Sequence, residues 1–363
     1  MNWELPYGLY PASQFYVLIY VFAFLGHFTA VSYVMGGMFY LSARQMFSRE
    51  SNDLNLGLGL LVRDWMPFAL SAAITLGVAP LLFVQVIYPK NFYTANLLLG
   101  WRWMMIVPAL IVGFYLLYLM KTRFFEISSR GVRMVILAST TMCFMFVGAG
   151  WSSNHVLMEL DTSWPHIYYD ISTVDTVLPY MLVRMCVWTG GILMTFPMLI
   201  VWQSRWIGLE SGEEARRKSG ELVRMVRSGA ILTLIGLGIT FHPWMRSEWE
   251  QLNDWLLHRV LITSVLAGAL YWAYWELVSL IGSGLSRACV MTAVWSVGAV
   301  LGGFAREINR IEAIDLEHQQ EIIENAAGAG GFWLFVLSAV ISGCLIRFCV
   351  RTVVRRLKDP VKT

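Results

Sequence analysis

Charge is what this chain has least of. Asp, Glu, Lys and Arg make up 14% of its 363 residues, against about 25% in a soluble domain. With 57% of residues hydrophobic and a mean hydropathy of +0.58, too little polar surface is available to face water. A soluble or disordered protein is excluded. A nucleic-acid binder is excluded too, because the net charge is only +3 and the basic residues gather on one side of a membrane. Motifs for thiolate metal clusters and for covalently attached haem are missing. Cys143, Cys186, Cys289, Cys344 and Cys349 fall within apolar stretches with no CxxC or CxxCH spacing, so they read as small packing residues. Residues 1–11 lack a basic start and contain Glu4. They read as an interfacial segment anchored by Trp3, Tyr7 and Tyr10 rather than as a cleavable signal. No Pro/Ser-rich linker and no internal repeat occurs, so one bundle is expected and an inverted-repeat transporter gains no support.

What is present is apolar length. Runs near the roughly 20 residues needed to span a bilayer lie at 15–41, 66–88, 98–120, 132–151, 177–203, 228–245, 257–281, 288–304 and 328–350. The runs are continuous rather than alternating, which predicts helices, each satisfying its own backbone in lipid, and not a barrel. The segments after the first, third, fifth and seventh runs, with the C-terminal tail, hold 20 Lys and Arg, whereas the opposite side holds 6. This split predicts an all-α bundle of about nine membrane-spanning helices, 1–363, with its N-terminus outside and its C-terminus inside. The acids lean the other way: 14 of them fall on the outer side, including Glu159, Asp161, Asp170, Asp175 and the run from Glu307 to Glu324. Such a face reads as solvated surface or as a docking face for a basic partner.

Three ionisable side chains set away from the outermost residues of the apolar runs draw attention: His27, Arg184 and Glu276. Intramembrane ionisable groups are costly and mark functional candidates. His27 lies well inside the first span, and neutral imidazole is a common haem-iron ligand in bundle interiors. The structural alternative is a neutral histidine hydrogen-bonded to a neighbouring helix. Arg184 lies on the order of 10 Å inside the outer end of the fifth span at 1.5 Å per residue. Glu276 lies near the inner end of the seventh, so the two are poor partners. Arg184 is expected to snorkel, or to meet a carbonyl ring or another anion, for which a haem propionate or a lipid headgroup would serve. His155, His166, His242, His258 and His318 map to outer span ends or outer loops.

The stretch Gly26-His27-Phe28, followed by Val34-Met35-Gly36-Gly37 and Arg44, resembles the first helix of subunit I of cytochrome bd quinol oxidases. Ile74-Thr75-Leu76-Gly77-Val78-Ala79 with Asn91-Phe92-Tyr93 is similar to that family's second helix and following loop. Gly148-Ala149-Gly150-Trp151-Ser152-Ser153-Asn154 resembles the ending of its fourth. Nine spans and an outside N-terminus match as well. The departures are specific. Val183-Arg184-Met185-Cys186 stands where the family's fifth helix supplies a histidine, and Trp101-Arg102-Trp103 opens a third span with no acid through Tyr118. The long quinol-binding loop and the Gly-Arg-Gln-Pro-Trp signature are missing, which argues against a complete oxygen reductase. The resemblance therefore implies a divergent, reduced subunit holding haem b non-covalently. His27 is its axial ligand, and His242, His155, a methionine or nothing is the second.

Two function classes follow. One is an oxidoreductase subunit passing electrons between the membrane, with quinol as the family-implied donor, and an outer-face cytochrome c or similar carrier. The other is a haem-free scaffold or transporter that keeps the bundle. The resemblance places either in a bacterial cytoplasmic membrane.

Overall fold

The computed structural model describes residues 11–47, 57–160, 164–169, 177–207, 213–240, 255–277, 284–314 and 331–358. In chain order its helices are α1 (Pro11–Phe47), α2 (Gly57–Ile87), α3 (Pro89–Leu99), α4 (Trp101–Met104), α5 (Ile106–Leu119), α6 (Arg123–Ile127), α7 (Arg130–Glu159), α8 (Trp164–Tyr169), α9 (Leu178–Ile207), α10 (Glu213–Thr240), α11 (Trp255–Leu277), α12 (Leu285–Ala313) and α13 (Gly331–Lys358). Among the described residues, eight helices are long and apolar enough to cross a membrane, from Phe15–Phe47 to Leu285–Ile311. They coincide with the first eight expected spans, and α13 covers the ninth run. The protein is an all-α polytopic membrane bundle.

The boundaries differ from the expected ones for local reasons. The third span is broken at its outer end, where Gly100 adopts φ +53°, a left-handed conformation that glycine enters without a Cβ clash. Its N–H donates to the Asn96 carbonyl at 3.1 Å and ends α3. The eighth span, expected to stop at residue 304, continues to Ala313, where Arg306 and Arg310 both hydrogen-bond the Glu307 carboxylate. The sixth helix ends at Thr240, so His242 lies outside the described residues.

α1 is the hub, packing against α2, α7, α9 and α12, while α5 covers α7 and α10 covers α9. The side chains of α5 that point away from the bundle, among them Val107, Ile111, Val112 and Tyr115, are apolar and exposed. That pattern suits lipid and not water. Two apolar cores stack along the hub. One gathers Tyr33, Met38, Leu41, Met66, Phe196 and Tyr271, and the other gathers Tyr20, Val84, Tyr88, Phe92, Leu157 and Ile311. Between them, none of residues 22–31 of α1 is buried. His27 lies in this half-buried stretch.

The polar contacts sort by side. Arg63 meets Glu126 at 3.0 Å, Arg44 lies 3.9 Å from Glu221, and Arg227 grips Glu276 through two 2.9 Å hydrogen bonds. Each joins residues that the charge count puts inside. Glu276 thus has an inner-side partner, in keeping with its expected separation from Arg184. Since Arg227 and Glu276 are both well exposed and such pairs contribute little, Glu276→Gln should leave thermal unfolding in detergent essentially unchanged. A clear drop would show that the pair lies in a closed interface. The sidedness itself is checked by Lys218→Cys, expected to react with an impermeant thiol reagent only after the cells are opened.

Candidate functional site

His27 projects from α1 onto α2. Its Nδ1 lies 2.9 Å from the Ala73 carbonyl oxygen. A carbonyl only accepts, so Nδ1 carries the proton and Nε2 keeps its lone pair. Nε2 has no hydrogen-bond partner among the described residues. Gly77, one turn beyond Ala73, makes the approach feasible. A Cβ there would stand 2.9 Å from both Cε1 and Nδ1 of the imidazole, closer than real Cβ contacts come. Beside His27 the helix surface is open, since nothing lies within 4 Å of a Cβ built on Gly26. Phe24 and Phe28 flank the position with ring centroids 6.1 Å apart.

This arrangement fits a metal-ligating histidine. Such residues usually donate the second ring N–H to a carbonyl or carboxylate, which fixes the tautomer and aims the free nitrogen. The apolar, aromatic surroundings suit a flat macrocycle held without covalent attachment. Among the described residues, no group of three or more His, Cys, Asp or Glu is placed to hold a bare metal ion. Replacing Gly77 by Ala should push the imidazole off Ala73 and weaken retention of an iron ligand by about 10–100-fold, the usual cost of disturbing a ligand's outer support. Haem content after gel filtration reads the effect directly, and unchanged content would show that the ring does not serve as a ligand in this position.

A second constellation lies outward from His27 on the same face of α1. Tyr20, Phe24 and His27 have i, i+4, i+7 spacing and share one face. The Arg306 guanidinium lies 3.8 Å over the Phe24 ring and donates to the Tyr20 hydroxyl at 2.9 Å. Arg306 also donates to Glu307 at 2.8 Å and 3.0 Å. Arg310, fully buried, donates to Glu307 at 3.0 Å and 3.2 Å and to Tyr20 at 3.2 Å. Tyr88 completes the Glu307 shell at 3.2 Å. Burial and the Glu307 carboxylate push the Tyr88 hydroxyl well above its ordinary range, so it stays protonated and donates. Arg310 also lies 3.5 Å from Glu159, which is itself hydrogen-bonded to Arg184.

Of the residues singled out from sequence, Arg184 and His155 come together in this outer cluster, within electrostatic reach of each other and of Arg306 and Arg310. Arg184 finds its anion inside the protein, in Glu159, which sits at the last position of α7 and faces inward. Glu159 is thus an anion of the kind Arg184 was expected to need. Glu159 and Glu307, counted as part of an acidic outer surface, are 4% and 1% exposed. Both are internal counterions, so the docking face reduces to acids in segments outside the described residues, including Glu317, Glu321 and Glu324. The His155 ring packs beside Trp151 at 5.7 Å, and its buried Nδ1 has no hydrogen-bond partner. His27 is supported instead by α2, through Ala73 and Gly77. Sequence reasoning missed Arg306, Glu307 and Arg310 as a unit, although their i, i+1, i+4 spacing after an apolar run was a usable signal.

Compared with known protein families, curated proteins and solved structures, the chain matches none.

Proposed function

We propose that the protein is the haem-b-binding subunit of a membrane oxidoreductase, carrying electrons between the bilayer, with quinol as donor, and an outer-face cytochrome c or similar carrier. The observation that carries this reading is His27: its Nδ1 is fixed by Ala73, its Nε2 is unpartnered, and it stands in the half-buried stretch of the hub helix. Bound haem would supply a one-electron iron couple at this position. The protein's own part is to aim Nε2, to keep water out with the two flanking apolar cores, and to hold fixed positive charge nearby in Arg306. The resemblance of Gly26-His27-Phe28 and the Gly77 stretch to subunit I of cytochrome bd quinol oxidases supports the same assignment and a bacterial cytoplasmic membrane. The second ligand would be His242, which lies outside the described residues, His155, a methionine or none.

Rapid-mixing kinetics on haem-replete protein test the assignment. A short-chain quinol should reduce the haem, and a basic c-type cytochrome should reoxidise it at a rate that falls with ionic strength. Neutral substitutions at Glu317, Glu321 and Glu324 should slow the second step alone. A haem that neither carrier touches would remove the electron-transfer role.

The His27–Ala73 hydrogen bond also supports a second reading. A packing histidine in a haem-free scaffold or transporter would make the same bond, and the two readings separate on whether the protein holds haem.

A further inference from the structure

We propose that the exposed face of α13 binds an anionic phospholipid, with the acyl chains along the apolar part of the helix and the phosphate among the arginines that follow. The face is written as one stripe. Leu337, Ile341, Cys344, Phe348 and Arg351 recur every three or four residues, the spacing that keeps positions on one side of a helix, and all five are exposed. Arg347, exposed as well, adjoins the stripe. Positions 355 and 358, an arginine and a lysine, continue the same register to the end of the helix. The helix against which α13 packs is α9, and the exposed stripe faces away from that contact.

Length sets the depth. The 28 residues of α13 reach about 42 Å at 1.5 Å per residue, beyond the roughly 30 Å of a bilayer's hydrocarbon. With the apolar part in the hydrocarbon, the part from Arg347 onward emerges among headgroups. Charge selects which headgroup. α13 contains no Asp or Glu, and among the described residues Arg347 and Arg351 have no carboxylate partner. Arg63, Arg44 and Arg227 differ: each meets an acid, in Glu126, Glu221 and Glu276. A helix dipole rewards cations only in its last turn. Arg347 and Arg351 lie about three and two turns before Lys358, so the dipole does not account for them.

The continuity of the stripe decides the occupant. A guanidinium fork matches phosphate oxygens, and its aliphatic stem lies along apolar surface while the charge reaches the interface. A free phosphate would leave the apolar half of the stripe unused, and an acidic protein segment in water would not reach it. An anionic phospholipid uses both halves, and its headgroup is drawn to basic residues at a membrane helix end. The surface does not depend on the haem assignment, nor on which leaflet receives it.

The test uses full-length protein in a neutral detergent. Radiolabelled phosphatidylglycerol, or phosphatidylcholine with the same acyl chains, is titrated in and counted with the protein after gel filtration. Phosphatidylglycerol should bind saturably and more tightly than phosphatidylcholine. The double variant Arg347→Gln/Arg351→Gln should weaken phosphatidylglycerol binding about tenfold or more, the effect of two interfacial cations, and leave phosphatidylcholine binding unchanged. Arg347→Lys/Arg351→Lys keeps both charges and should keep most of the binding. Lys121→Gln, which removes an exposed cation elsewhere, should change nothing. Equal binding of the two lipids, undiminished binding in the double Gln variant, or an equal loss in Lys121→Gln overturns the proposal. Displacement of phosphatidylglycerol by inorganic phosphate at constant ionic strength also overturns it, by identifying a free phosphate as the occupant. Binding of polyglutamate in place of phosphatidylglycerol does the same in favour of an acidic protein segment.

Discussion

His27→Ala is expected to strip haem from the purified protein while leaving a membrane-inserted, monodisperse bundle. The eight apolar helices carry their own spanning lengths, so the bundle should insert without the imidazole. The change removes a nitrogen that is anchored by Ala73 on one side and unpartnered on the other. Loss of an axial ligand should exceed the roughly 10–100-fold effect of disturbing outer support, such as Gly77→Ala. Haem-to-protein ratio after gel filtration is the measurement. A ratio equal to wild type would return His27 to a packing role beside Ala73.

The largest stability effect is expected at Glu307. This carboxylate is buried and takes hydrogen bonds from Arg306, Arg310 and Tyr88. Glu307→Gln keeps the shape and deletes the charge, leaving Arg310 with only the more distant Glu159. Removing one partner of a buried pair costs about 3–5 kcal/mol, far more than the exposed Arg227–Glu276 pair can show. Thermal unfolding of the two variants side by side checks the contrast. A Glu307→Gln protein as stable as Glu276→Gln would mean that water or another anion reaches the cluster and replaces the lost charge.

Fold and site were legible to different depths. Apolar run length is a one-dimensional signal, and a bilayer converts it almost directly into helices. Helix ends were less legible. Gly100 breaks the third span through one positive φ, and α12 outruns its apolar stretch where Glu307 takes hydrogen bonds from both Arg306 and Arg310. His27 stood out because a titratable group in an apolar run has few reasons to be there. Its partners did not, since a backbone carbonyl at Ala73 carries no sequence signature, and Gly77 looks like any small residue in a membrane helix. The same holds for Glu159: on a line of letters it is an acid at a loop edge, and only packing turns it inward to Arg184.

The central claim is that this bundle holds haem through His27. The most direct measurement is a reduced-minus-oxidised absorption spectrum of the full-length protein, purified from cells supplied with haem, alongside His27→Ala. The account predicts b-type bands in stoichiometric amount in the wild type and their loss in the variant. A folded, haem-supplied wild-type protein with a flat difference spectrum would contradict it and leave the haem-free scaffold or transporter in its place.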